Sequence, residues 1–164
     1  AGDRFNENII DFVRSEFKLG IGERTAEDVK IAIGAVTPLP ETLSRSVRGR
    51  DYATGLPREI QLTDAHIREA IAPSLDNLME TMKEVIEATP PELLSDVLQH
   101  GVTVFGGGAL LRGLPQALAK MLGVPVRVAP DPLSAVVRGA GIVTEDPEPY
   151  ADFFIDEEDI LSEA

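Results

Sequence analysis

From Val102 to Gly141 the chain changes rhythm every few residues: VTVF, GGG, LPQALAKMLG, VPVRVA, DPLSAVVRGAG. Short runs rich in valine alternate with segments whose apolar residues recur at helical spacing. Strand–helix–strand–helix argues for an α/β half with parallel strands, because the intervening helix carries the chain back across one face of the sheet. Strands are expected at 102–105 and 125–128. The closing helix is expected to open after Asp131-Pro132, where a helix-capping Asp is one explanation of Asp131.

The upstream residues read differently. Phe5, Ile9, Phe12, Val13 and Phe17 lie at helical spacing over residues 3–17, giving one strongly apolar face. Gly20 and Gly22 then break the chain. Thr25 is placed to cap a second helix whose apolar side is Ala26, Val29 and Ile33, with Gly34 at its end. Pro38 and Pro40 rule out helix next, and SRSVRGRD and PREIQL alternate as strands across a turn at YATGLP. A helical face then runs through Ile67, Ile71, Leu75, Leu78, Met82, Val85 and Ile86. Pro73 inside it predicts two helices, or one kinked there. PELLSDVLQHG is a further helix, with Pro near its first turn and Gly101 just past its end.

Charge and composition narrow the function. Apolar residues make up 43% of the 164, enough for a real core. The net charge of -13 is uneven: residues 145–164 hold nine acidic and no basic side chains. The first 144 carry 19 of the 28 acidic residues against 15 basic ones. Without a basic excess to neutralise phosphates, nucleic-acid binding is disfavoured. The acidic tail is read as solvating, with docking through Phe153, Phe154, Ile160 and Leu161 as the alternative. No cysteine is present, so neither disulfides nor thiolate metal sites arise. No apolar run is long enough to span a bilayer. The start, AGDRFNENII, has no signal-peptide pattern and no initiator Met, so the chain is expected to be a fragment or a processed product. His66 and His100 stand apart from each other and from other ligating residues, and both are expected at the surface.

The glycines at 106–108 pose the functional question. Glycine permits positive φ, and it lets a ligand or another backbone come close. A glycine turn between a strand end and a helix lies at the carboxyl edge where ligands of open α/β sheets sit. A tight turn without a ligand explains GGG equally well. The pattern is not G-x-G-x-x-G, and no G-K-[ST] follows.

Five blocks taken in order are more specific: AGDRFNENIIDFV, IGERTAEDVKIAIG, VRGRDYATGLP, TPPELLSDVLQHGVTVFGGGALLRGL and APDPLSAVVRGAG. This series resembles the C-terminal half of the MreB/Mbl family, bacterial actin homologues that shape rod cells, from Ala1 to about Gly141. The resemblance implies an α/β chain forming the second half of an actin-like fold (the actin/Hsp70 ATPase, RNase H-like class). Residues 1–18 with 73–144 would be part of an inner α/β subdomain, 19–72 a small outer α+β subdomain inserted in it, and 145–164 an acidic tail.

The same resemblance implies a nucleotide site. Gly106, Gly107, Gly108 and Ala109 would form the loop beneath the adenosine, with Leu110 and Leu111 beside the base. On the residues alone, the two leucines are equally well ordinary core. Glu27 and Lys30, three apart on one helical face, would meet the ribose and the adenine or a phosphate; the alternative is a surface ion pair worth little. Asp3 would lie near the cleft. Arg45, Arg48, Arg50 and Arg58 cluster on the small β region, either as a solvated face or as part of filament contacts.

No segment reads as Asp-x-Gly-x-Thr or as a Gly-Gly-Gly-Thr-Thr turn, the phosphate loops of that family. The expected intact protein binds ATP/ADP with Mg2+ and polymerises in the cytoplasm at the inner face of the cell membrane. Its expected partners are other protomers and the cell-wall elongation machinery, with membrane contact through parts outside this chain. No catalytic or metal-ligating residue is assigned here. The chain alone is expected to bind nucleotide weakly and to lack ATPase activity. A nucleotide-independent interaction module is the alternative. A sugar kinase of the same superfamily would need a catalytic acid and a sugar pocket, and no candidate is found.

Overall fold

A computed structural model describes residues 2–153 of the chain. Helix α1 (Gly2–Phe17) leads into a two-residue strand, β1 (Leu19–Gly20), and then helix α2 (Glu23–Ile33). The strands β2 (Ser44–Asp51) and β3 (Pro57–Thr63) form an antiparallel hairpin, with Val47 opposite Ile60 and Arg48 opposite Glu59. β1 pairs antiparallel with β2, so the sheet order is β1-β2-β3. Helix α3 (Asp64–Glu87) follows, then α4 (Pro91–His100) and β4 (Val102–Val104). Helix α5 (Leu114–Leu122) carries the chain to β5 (Val126–Val128), which pairs parallel with β4; α6 (Ala135–Glu145) comes last.

The core is built where amphipathic faces meet. Phe5, Ile9 and Val13 of α1, Val29 and Ile33 of α2, and Ile67 and Ile71 of α3 are all at most 3% exposed. Val47 and Leu62 seal the sheet against them, and Leu111, Leu114 and Leu118 extend the cluster towards the second sheet. Beyond α5 burial thins out: neither α4 nor α6 has a buried residue. Leu93, Leu98, Phe105, Val136, Val137 and Ile142 are exposed apolar side chains on this side.

Several local expectations need correction. Thr25 does not cap α2; the helix begins at Glu23 with Gly22 in the cap position, because the chain leaves the β1–β2 pairing and turns directly into the helix. The segment read only as a break at Gly20 is that short strand. Of the two forms expected around Pro73, α3 takes the single helix. His66 is not an isolated surface residue. Its amide donates to Thr63 Oγ1 at 3.4 Å and its Nδ1 accepts from the Thr63 amide at 3.2 Å, a capping box with histidine in place of Glu. Its ring also stands edge-on to Phe17, 5.3 Å between centroids. Asp131 sits at φ 48° and does not cap α6, whose cap position is Ser134; its carboxylate instead accepts from the Ser134 hydroxyl. The left-handed turn at Asp131 delays the helix by several residues. Of the four clustered arginines, Arg48 pairs with Glu59 at 2.6 Å and Arg58 with Asp51 at 3.1 Å. Phe154, Ile160 and Leu161 lie outside the described residues.

The turn that closes the hairpin is pinned by Asp51, whose Oδ1 accepts from the amides of Ala53 at 2.8 Å and Thr54 at 2.9 Å. The Thr54 amide, helped by the Ala53 amide and Arg58, lowers the Asp51 carboxyl from its ordinary value of 3.8, against the opposing effect of desolvation. A depressed carboxylate stabilises the fold above its ordinary pKa, and that contribution is lost as pH falls through the lower, folded-state value. Acidification below about pH 4 is therefore expected to weaken wild-type protein more than Asp51→Asn. Urea midpoints at pH 7 and pH 3 check this; a gap between the two proteins that stays constant with pH would refute it.

Candidate functional site

Four segments separated in sequence meet at one cleft of about 330 Å3. One wall is the exposed side of α2, with Glu27, Lys30 and Ile31; the start of α1 adds Gly2, Asp3 and Phe5. The floor is Gly107 and Gly108, and Leu110, Leu111 and Arg112 continue it to the end of α2 at Gly34. Leu133 closes the far side.

The apolar stripe of α2 (Ala26, Val29, Ile33) faces the core and so turns Glu27, Lys30 and Ile31 outward. No ion pair joins Glu27 to Lys30 among the described residues. Instead Lys30 Nζ donates to the Gly2 carbonyl at 3.3 Å, tying α2 to the start of α1.

The loop follows directly from β4. Gly106 has φ 82° and ψ 172°, a region open essentially only to glycine. Its amide donates to the Pro132 carbonyl at 2.8 Å, which brings the turn bearing Leu133 against the loop. Residues Gly107–Leu110 form a single 3-10 turn. Ala109 is buried beneath it and Leu111 is 7% exposed, whereas Leu110 is 55% exposed and open to the cleft.

Gly107 and Gly108 behave differently from Gly106. Neither has a positive φ, a methyl group added at Gly108 would meet nothing within 4 Å, and at Gly107 it would touch only Leu133 Cδ2 at 3.6 Å. Neither backbone conformation nor packing requires these two to be glycine. What their missing side chains provide is open floor in the cleft.

Six of the eight residues assigned from the sequence line this space: Glu27, Lys30, Gly107, Gly108, Leu110 and Leu111. Gly106 and Ala109 support the loop from outside the lining. Asp3 is brought to the same cleft. Gly2, Phe5, Ile31, Gly34, Arg112 and Leu133 also line it and were missed. A signal existed for Ile31, which is an apolar residue off the helix's buried stripe and is 67% exposed. Among the described residues no group of three or more acidic or histidine side chains is arranged to hold a metal. No described helix is long and apolar enough to cross a membrane.

A small antiparallel sheet with α2, leaning on helices that lead to a parallel β4–β5 pair and a glycine loop facing α2, is the architecture of the second half of an actin-like fold. Solved structures agree. MreB5 of Spiroplasma citri bound to ADP superimposes with a TM-score of 0.86 at 34% identity, covering 93% of this chain and 46% of that one. The MamK double helical filament, 22% identical, matches in fold with a TM-score of 0.75 over 89% of this chain and 45% of that one.

The chain belongs to the MreB/Mbl family: the family model described as MreB/Mbl protein matches residues 1–151. The cell shape-determining protein Mbl of Bacillus subtilis (strain 168) is 45% identical over 145 residues, which are 88% of this chain and 44% of that protein. The cell shape-determining protein MreB of Escherichia coli (strain K12) is 43% identical, over 88% of this chain and 42% of that protein. The chain thus spans less than half the length of these relatives.

Proposed function

We propose that the cleft is the adenosine side of an ATP/ADP site, and that the chain acts as the C-terminal half of an actin-like protein whose filaments organise cell-wall synthesis and rod shape. The observation that carries this reading is the open floor at Gly107 and Gly108, which the fold itself does not need. A flat base can lie on a bare backbone, and exposed Leu110 supplies apolar contact for its face. Glu27 accepts from ribose hydroxyls. Lys30, already held near the mouth by its bond to Gly2, donates to a phosphate or ring nitrogen. The relatives support the reading: MreB5 of Spiroplasma citri is known bound to AMPPNP and to ADP. In the intact protein the nucleotide would carry Mg2+, which neutralises phosphate charge. The residues present assign no ligand to that ion.

Under this reading residues 19–72 are the outer subdomain, 1–18 with 73–144 part of the inner one, and 145–164 the acidic tail. Protomers associate with one another, as the MamK filament illustrates for that protein. Action in the cytoplasm at the inner face of the cell membrane, membrane contact through parts outside this chain, and work with the wall-elongation machinery belong to the same proposal. The exposed apolar side chains around β4, α4 and α6 are a surface that further protein would cover.

Thermal melting with and without millimolar ADP tests the site. A ligand that binds only the folded state raises its stability by RT ln(1 + [L]/Kd). A small rise of the melting temperature that grows with the logarithm of ADP concentration is expected for this chain, together with negligible ATP hydrolysis. A melting temperature indifferent to ADP and ATP would instead favour a nucleotide-independent interaction module.

A further inference from the structure

The last carbonyls of a helix have no partners within it. At the end of α2 two such groups are met by one side chain from the glycine loop: Arg112 Nη1 donates to the Ile31 carbonyl at 3.4 Å and to the Gly34 carbonyl at 3.2 Å. A guanidinium there also complements the negative end of the helix dipole. The backbone joins at the same point. The Val36 amide donates to the Arg112 carbonyl at 2.8 Å, and Ala35 bridges Arg112 in parallel.

Next to it, Leu111 packs so closely that a methyl group added at Gly34 would lie 2.9 Å from Leu111 Cδ2; the helix's own Lys30 carbonyl, at 2.3 Å, excludes it as well. Among the described residues, every hydrogen bond between the α2 end and loop 106–112 involves Arg112. The two guanidinium bonds connect groups 78 and 81 positions apart in sequence, and with the backbone pairing they fix the two walls of the cleft relative to each other.

We propose that Arg112 is a positioning residue of the cleft, setting the distance between the Glu27–Lys30 wall and the Gly107–Gly108 floor. The proposal rests on the reading of the cleft as a nucleotide site. Arg112 acts through the α2 terminus, so its effect precedes any ligand. The guanidinium supplies two of the bonds across this junction, and these can be released without opening the core while the backbone pairing at Val36 remains.

The test compares Arg112→Ala, Arg112→Lys and Arg127→Ala in the purified protein. Arg127 is a matched control: it donates to Thr103 Oγ1 at 3.1 Å and to the His100 carbonyl at 2.9 Å, away from the cleft. Two quantities are read, amide exchange at Val36 without ligand and ADP affinity by titration. Arg112→Ala is expected to speed Val36 exchange about tenfold and to weaken ADP binding about fivefold to tenfold. Lysine should restore part of both, and Arg127→Ala should change neither. Unchanged Val36 exchange in Arg112→Ala overturns the proposal, and weakened ADP binding with unchanged exchange means that Arg112 touches the ligand directly. Wild-type protein that does not bind ADP defeats the nucleotide reading alone; Val36 exchange then still decides whether the tether exists.

Discussion

Gly101→Ala is expected to release β4 from β5 and to cost about 3–5 kcal/mol in that part of the fold. Two separate effects add. Gly101 ends α4 with φ 74° and ψ -167°, where any side chain is strained. A methyl group there would also lie 2.2 Å from the Pro125 carbonyl oxygen, well inside contact distance. That carbonyl is the one that accepts from the Val102 amide at 2.8 Å, so the clash falls on the first bond joining the two strands. Because α4 and α6 bury nothing, little else holds this end together. Hydrogen exchange should therefore show Val102, Thr103 and Val104 losing protection while Ile9, Ile67 and Ile71 keep theirs. Uniform loss across both regions would mean that the sheets unfold as one unit; unchanged protection would refute the clash.

Gly108→Val should have the opposite profile: a fold unchanged to within about 0.5 kcal/mol, and ADP binding reduced at least ~100-fold. A Cβ added at this position meets nothing within 4 Å and no positive φ stands against it, but the side chain would fill the floor on which the base is proposed to lie. Gly106→Val provides the contrast two residues away. At φ 82° and ψ 172° it should destabilise the protein whether or not a ligand is present. Chemical denaturation and ADP titration of the pair separate the roles. If Gly108→Val unfolds the protein as readily as Gly106→Val, the third glycine serves the turn, and the nucleotide reading loses its main support.

Much of the local structure was legible because it rests on spacing. The stripe Phe5, Ile9, Val13 had only to be counted to place α1, and the alternation of SRSVRGRD and PREIQL gave the β2–β3 hairpin. The same counting put Glu27 and Lys30 on one face of α2. Cap positions were misjudged locally, and other readings turned on groups from distant elements. Around Pro73 spacing left one helix or two open, and the single α3 packs along α1 and α2. His66 looked isolated because its partners Phe12 and Phe17 come from another helix. β1 is only two residues long and exists through pairing with Arg50 and Asp51.

The site divides in the same way. By itself the sequence determined the types of the longer helices and strands, the glycine loop after β4 and the family to which the chain belongs, since each depends on residues near one another or on ordered blocks of them. Only the tertiary structure separated the three adjacent glycines, showing that Gly106 is held by its backbone angles whereas Gly107 and Gly108 are not. Only it brought Ile31, Arg112 and Leu133 to the cleft with Glu27 and Lys30. The reason is geometric: periodicity fixes which way a side chain points from its own element, while the neighbours it meets across space are set by packing among elements distant in the chain.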